Sequence, residues 1–191
     1  MRVVAGELRG RRPRSVPGRS SRPTAEKVRE ALFSILGDRV HDARVLDLFA
    51  GTGALAIEAL SRGAASAVLV EPAPAAVGVI RANLADLGLD DRAVVRRTRA
   101  EAWLRTQRDG PFDLVLLDPP YASQVGYVAG ILGRLARTAL AEGATVALEA
   151  ATRSEPPPWP AELEPGRPRR YGDTSLHLAT YTGSGPKPVQ A

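Results

Sequence analysis

The chain has 191 residues, 44% of them hydrophobic, enough to bury one core of moderate size, and no apolar run reaches the ~18–20 residues of a membrane span. It contains no cysteine, which excludes disulfides, thiolate metal sites and thiol nucleophiles, and its first residues lack the apolar stretch of a signal peptide, so a soluble cytoplasmic protein is expected. Net charge is +5, yet residues 1–30 hold nine basic and three acidic side chains while the other 161 residues carry net −1, a basic arm on a near-neutral body of the kind that meets a polyanion.

Val3-Val4 and Leu8 read as short strands turning at Gly6 within a basic extension, residues 1–23. Val28, Leu32, Ile35 and Leu36 recur at helical spacing, with Thr24 to cap the start and Gly37 to end it, which predicts a helix over 24–36. From residue 44 the pattern alternates. Strands are predicted at 45–49, 66–70, 93–97, 112–117 and 145–149, and helices at 54–60, 72–87, 100–107 and 127–140. Such alternation gives a parallel sheet with helices on both faces. Residues 153–168 read as a proline-rich loop. Residues 168–171 and 175–181 read as an antiparallel hairpin turning at Gly172-Asp173-Thr174, which brings the expected sheet to seven strands. One domain is expected over 24–182, with a disordered tail at 183–191.

The first strand runs into Asp47-Leu48-Phe49-Ala50-Gly51-Thr52-Gly53-Ala54. Glycines permit the turn and keep side chains away from a ligand, and open α/β sheets bind ligands beyond the carboxyl ends of their strands. The same residues satisfy a loose dinucleotide pattern. Two features favour S-adenosylmethionine instead. Asp47, four residues before Gly51, can hold a water or the cofactor ammonium, and the chain has no room for a separate substrate domain. Glu71 follows the second strand, 20 residues after Gly51, where a carboxylate can accept from both ribose hydroxyls, with Pro72 beside it. Adenine is expected near Arg99, Ala100 and Glu101. Arg99 stands where an acid often meets the adenine amine, so backbone groups of Ala100 are the expected contact.

The fourth strand ends in Asp118-Pro119-Pro120-Tyr121. An exocyclic amine on a base is a poor nucleophile because its lone pair is delocalised into the ring. Two acceptors aimed at its hydrogens favour the pyramidal geometry that attacks a sulfonium methyl. The Asp118 carboxylate and the Pro119 carbonyl can be that pair, the prolines stiffen the loop, and Tyr121 offers a face for an extruded base. His41 and His177 are isolated, and no metal is indicated.

With these residues in place, the chain resembles the bacterial 16S ribosomal RNA guanine-N2 methyltransferases of the RsmD type over about residues 1–181. The marks are Arg2-Val3-Val4-Ala5-Gly6 with Arg9-Gly10-Arg11, Arg22-Pro23-Thr24 with Arg29-Glu30-Ala31-Leu32-Phe33, the stretch from Asp47 to Arg62-Gly63-Ala64, Asp118 to Tyr121, and Tyr171-Gly172-Asp173-Thr174. The resemblance implies an α/β, Rossmann-like class I methyltransferase fold. It further implies a cofactor site formed by Asp47, Phe49, Ala50, Gly51, Thr52, Gly53, Glu71, Pro72, Ala100 and Asp118, and a catalytic loop of Asp118, Pro119, Pro120 and Tyr121. The implied substrate is a guanine of 16S rRNA in the small ribosomal subunit or its assembly intermediate, gripped by Arg2, Arg9, Arg11, Arg12, Arg14, Arg22, Thr24 and Arg29 of a monomeric protein. Ser34, where many relatives carry Asn, and Arg99 depart from the pattern. The rival readings are a DNA adenine-N6 methyltransferase, which usually needs a target-recognition domain; a glutamine-amide methyltransferase, which favours Asn in place of Asp118; and a non-catalytic RNA-binding assembly factor, which needs none of the cofactor residues.

Overall fold

The computed structural model describes residues 2–15, 23–120 and 125–183. Helix α1 (Pro23–Leu36) leads through a 3-10 turn, Gly37–Val40, into an alternating series. The series runs β1 (Arg44–Asp47), α2 (Ala54–Ser61), β2 (Ser66–Val70), α3 (Pro74–Leu87), β3 (Ala93–Arg96), α4 (Ala100–Thr106), β4 (Phe112–Leu117), α5 (Val125–Thr138) and β5 (Leu140–Ala151). Three further strands complete the sheet: β6 (Leu163–Pro165), β7 (Arg169–Tyr171) and β8 (Thr174–Tyr181).

The strand order is β3-β2-β1-β4-β5-β8-β6, with β7 also paired to β8. Strands β1 to β5 are parallel, and β8 enters antiparallel beside β5. The central strands β1, β2, β4 and β5 are buried on both faces, as expected of a covered parallel sheet, and their alternating residues feed two cores, whereas edge strand β3 is partly exposed. Val45, Leu69, Leu114, Leu116 and Ala147 pack with α1 and α2, whereas Leu46, Leu48, Val68, Val115 and Leu117 pack with Trp103 of α4 and Leu132 and Leu135 of α5. The chain crosses from β1 to β2 on one side of the sheet, and β4 pairs on β1's other side. The carboxyl ends of β1 and β4 therefore flank the switch-point crevice where such sheets take ligands.

Several expectations need correction. The described sheet has eight strands, not seven, because β6 forms inside the stretch read as a loop by pairing Leu163–Pro165 with Ala179–Tyr181. Strand β5 starts at Leu140, not Thr145, since Leu140 pairs with Phe112 before a register shift, and α5 ends correspondingly early at Thr138. Residues 2–11 form no strand. They make a tight loop closed by the Val3 amide on the Arg11 carbonyl at 3.0 Å and the Gly10 amide on the Val3 carbonyl at 3.0 Å. That loop is docked on the domain, with Val3 only 2% exposed in the α1–α2 core. All but the first residue of the expected 183–191 tail falls outside the described residues. Among the described residues no helix is long and apolar enough to cross a membrane.

Candidate active site

Asp47 closes β1 and is 1% exposed, and among the described residues no group meets its carboxylate oxygens in full hydrogen-bond geometry, although the backbone N–H groups of Ala56 and Phe49 lie near enough to favour its charged form. Burial, helped by the nearby charge of Asp118, pushes its carboxyl up to about 7. A buried acceptor short of donors costs free energy unless a ligand supplies them. The turn that follows is built for close approach. Gly51 and Gly53 have φ of +55° and +79°. A side chain at Gly53 would press within 3.2 Å of Leu69, whereas one at Gly51 would meet only the Phe49 carbonyl, at 3.9 Å. The Ala50 amide donates to the Val70 carbonyl at 3.1 Å and ties the turn to β2. Asn83 of α3 reaches the Thr52 carbonyl at 3.4 Å.

Glu71, at the end of β2, accepts from the Gly51 amide at 2.9 Å and from the Ala73 amide at 2.8 Å. Its carboxylate thus sits at the rim of the glycine turn, held by one N–H on each oxygen, with acceptor capacity left on both. Pro72 beside it is exposed, and Phe49 is half-buried. Phe49 meets Tyr127 of α5 edge-on at 6.3 Å, and the Tyr127 hydroxyl donates to Glu101 at 3.0 Å. Burial and that bond push the Tyr127 hydroxyl up to about 12. Ala100 is 3% exposed, so only its backbone could face a ligand, and Arg99 is exposed at the start of α4.

Strands β1 and β4 pair with Asp47 opposite Leu116, and the Leu48 amide donates to the Leu116 carbonyl at 3.2 Å. Asp118 therefore leaves β4 alongside the turn that follows Asp47, exposed at the crevice, with Pro119 half-buried and Pro120 exposed. Tyr121 lies outside the described residues. The structure adds a group that the sequence reading passed over. Glu149, near the end of β5, has its carboxyl pushed up to about 7 by burial and by the charge of Asp118. An acid at a strand end is a weak signal, and only the β4–β5 register brings it beside Asp118.

The basic residues divide. Arg9 and Arg12 are exposed. Arg11 donates to the Asp86 carbonyl at 3.0 Å, and Arg14 pairs with the Asp86 carboxylate at 2.8 Å, so both partly fasten the loop to α3. Arg2 is exposed, and its carbonyl accepts from Arg29 at 2.6 Å. Arg29, expected on RNA, is only 6% exposed and lies 3.6 Å from the buried carboxylate of Glu58. It holds the N-terminal loop and has no surface to offer a phosphate. Arg22 and the side chain of Thr24 lie outside the described residues. The sequence reading did not anticipate the arginines of β7. The tip of the β7–β8 hairpin reaches the carboxyl end of β5, where Ala151 pairs with Thr174, and Arg169 and Arg170 are exposed beside it.

The family described as "Conserved hypothetical protein 95" matches residues 1–180. The chain is 42% identical over 126 residues to the "Putative rRNA methyltransferase YlbH" of Bacillus subtilis, covering 65% of this chain and 68% of that one. It is 40% identical over 121 residues to the "Ribosomal RNA small subunit methyltransferase D" of Escherichia coli K12, covering 63% of this chain and 60% of the relative's length, less than two thirds of it. A solved structure, "Putative methyltransferase yhhF from Escherichia coli", superposes with a TM-score of 0.83 at 34% identity over 96% of this chain and 99% of that one.

Proposed function

The chain belongs to the Conserved hypothetical protein 95 family, the RsmD-type methyltransferases, and from that premise we propose that it transfers a methyl group from S-adenosylmethionine to the N2 amine of a guanine in small-subunit rRNA. The observation that carries this reading is the β1–β4 register, which sets the Asp118-Pro119-Pro120 loop beside the buried carboxylate of Asp47.

The residues present fit the cofactor. Asp47 offers the buried anion that an ammonium requires. The bare backbone at Gly51, whose nearest neighbour to an added Cβ is the Phe49 carbonyl at 3.9 Å, suits close approach of a ligand, and Glu71 keeps acceptor capacity for two ribose hydroxyls. Phe49, Pro72 and the backbone of Ala100 flank the expected nucleoside. When bound, S-adenosylmethionine would supply an electrophilic methyl carbon on a sulfonium, with a neutral thioether as the leaving group that takes the C–S electron pair.

The chain's own contribution is placement and charge. The Asp118 carboxylate and the Pro119 carbonyl accept the two amino hydrogens and draw the nitrogen lone pair out of conjugation. The same carboxylate offsets the positive charge that develops on nitrogen. After transfer the extra proton passes through Asp118 to water. RNA is held electrostatically by Arg9 and Arg12 of the docked loop, with Arg2, Arg11 and Arg14 contributing, and by Arg169 and Arg170 of β7. The protein acts as a monomer in the cytoplasm, on 16S rRNA in the small subunit or its assembly intermediate.

Labelled methyl transfer to naked 16S RNA, small subunits and DNA, read by nucleoside mass spectrometry, tests the assignment. N2-methylguanosine in 16S RNA is expected. N6-methyladenine in DNA, or no transfer together with no cofactor binding, would refute it. Asp118→Ala is expected to lower kcat at least about 100-fold with little change in cofactor Kd.

A further inference from the structure

Adenine, cytosine and guanine all carry an exocyclic amine, but the ring nitrogen beside that amine differs. In adenine and cytosine it is a bare acceptor. In guanine the amine lies between two ring nitrogens, N3, which is an acceptor, and N1–H, a donor that the other two bases lack. A site that admits only guanine therefore needs an acceptor one ring atom away from the place where the amine is held, and an anionic acceptor discriminates most strongly.

Strands β4 and β5 run parallel with Leu117 opposite Leu148, so Asp118 and Glu149 follow as neighbours at adjacent strand ends. Glu149 is half-buried and lines a cavity with Pro119, Pro120, Val128, Leu148 and the proline run 156–158. Prolines and aliphatic side chains suit the faces of an unstacked base, which leaves its polar edge to the carboxylates. Glu155 also lines the cavity, but it is exposed, whereas Glu149 stands next to the Asp118 charge. Burial and the Asp118 charge both disfavour ionised Glu149, and donors lying between the two carboxylates relieve that cost. Guanine's amine and N1–H are donors that can lie between the two carboxylates.

We infer that Glu149 is the residue that selects guanine, accepting N1–H while Asp118 and the Pro119 carbonyl hold the N2 amine. This rests on the methyl-transfer reading of the site and assigns its base specificity to one side chain. Adenine or cytosine in the same pose would set a ring-nitrogen lone pair against the Glu149 carboxylate, acceptor against acceptor, with no compensating bond. Glutamine at this position keeps one acceptor and can turn an N–H donor toward the ring nitrogen, the pattern that adenine requires.

The test uses the full chain and small subunits whose target nucleotide, mapped from the wild-type product, is either guanosine or adenosine. Wild type is expected to label guanosine subunits only. Glu149→Gln is expected to lower the ratio of guanosine to adenosine labelling by roughly 10–100-fold, the discrimination typical of a well-placed base contact, with cofactor Kd unchanged by calorimetry. Glu149→Ala is expected to lose guanosine labelling without the gain on adenosine. A ratio that moves less than about tenfold, no adenosine labelling by Glu149→Gln, or cofactor affinity falling in step with activity overturns the role of Glu149 and leaves methyl transfer standing. A wild-type protein that labels neither substrate overturns both.

Discussion

Replacing Glu58 with alanine removes the anchor of the N-terminal loop, and the structure supplies the magnitude. Glu58, in the middle of α2, is 1% exposed. It accepts the amides of Val4 at 2.9 Å and Ala5 at 3.1 Å, and it faces Arg62 at 2.8 Å and Arg29 at 3.6 Å. Burial holds the Arg29 guanidinium below its ordinary value, and the Glu58 charge opposes that shift. Without the carboxylate, two amides lose their acceptor and a buried cation loses its counter-charge. Breaking such a pair costs about 3–5 kcal/mol, a fall of roughly 6–20 °C in Tm for a domain of this size. Glu58→Leu with Arg29→Met takes both buried charges away and is expected to recover the part of that loss due to an unpaired Arg29, while the Val4 and Ala5 amides stay without their acceptor. Urea denaturation measures the cost, and hydrogen exchange at Val4 and Ala5 reports whether the loop stays docked. A loss below about 1 kcal/mol with both amides still protected would refute the anchoring role.

Asp47 has an unfolded value near 3.8 and is pushed up to about 7 in the fold, so the folded chain binds more protons than the unfolded one between those values. Its contribution to stability falls as pH rises through that window. Asp47→Asn is therefore expected to raise Tm more at pH 8 than at pH 5 while weakening cofactor binding, and equal Tm shifts at both pH values would contradict the assignment. Gly6, at φ +83°, leaves a side chain only 1.7 Å from the Ser61 carbonyl, whereas Gly10, at φ +87°, faces open space. Gly6→Ala should undock the loop and expose the Glu7 and Leu8 amides to exchange. Gly10→Ala should cost only about 1–2 kcal/mol of backbone strain, and like behaviour of the two variants would count against the docked geometry. Arg9→Gln and Arg12→Gln should each reduce the salt slope of RNA binding by about 0.7–0.9 for every phosphate they no longer neutralise, and unchanged slopes would remove these residues from the interface.

The strand–helix alternation from β1 to β5 is legible in the sequence alone, because each strand is a short apolar run and the helices carry their own period, with glycine or proline at the ends of α2 and α3. So are the glycine turn after Asp47 and the Asp118-Pro119-Pro120 loop, each a run of consecutive residues. Other features depend on partners far along the chain and emerge only on folding. Leu163–Pro165 becomes a strand only because β8 offers an open edge, in a stretch whose prolines argue locally for a loop. Arg29 counts as one more basic residue in the N-terminal segment until Glu58 and the Arg2 carbonyl enclose it. Glu149 is an ordinary strand-end acid until the pairing of Leu117 with Leu148 sets it beside Asp118. Charge and periodicity are local properties of the chain, whereas burial and electrostatic pairing belong to neighbours that only the folded sheet brings together.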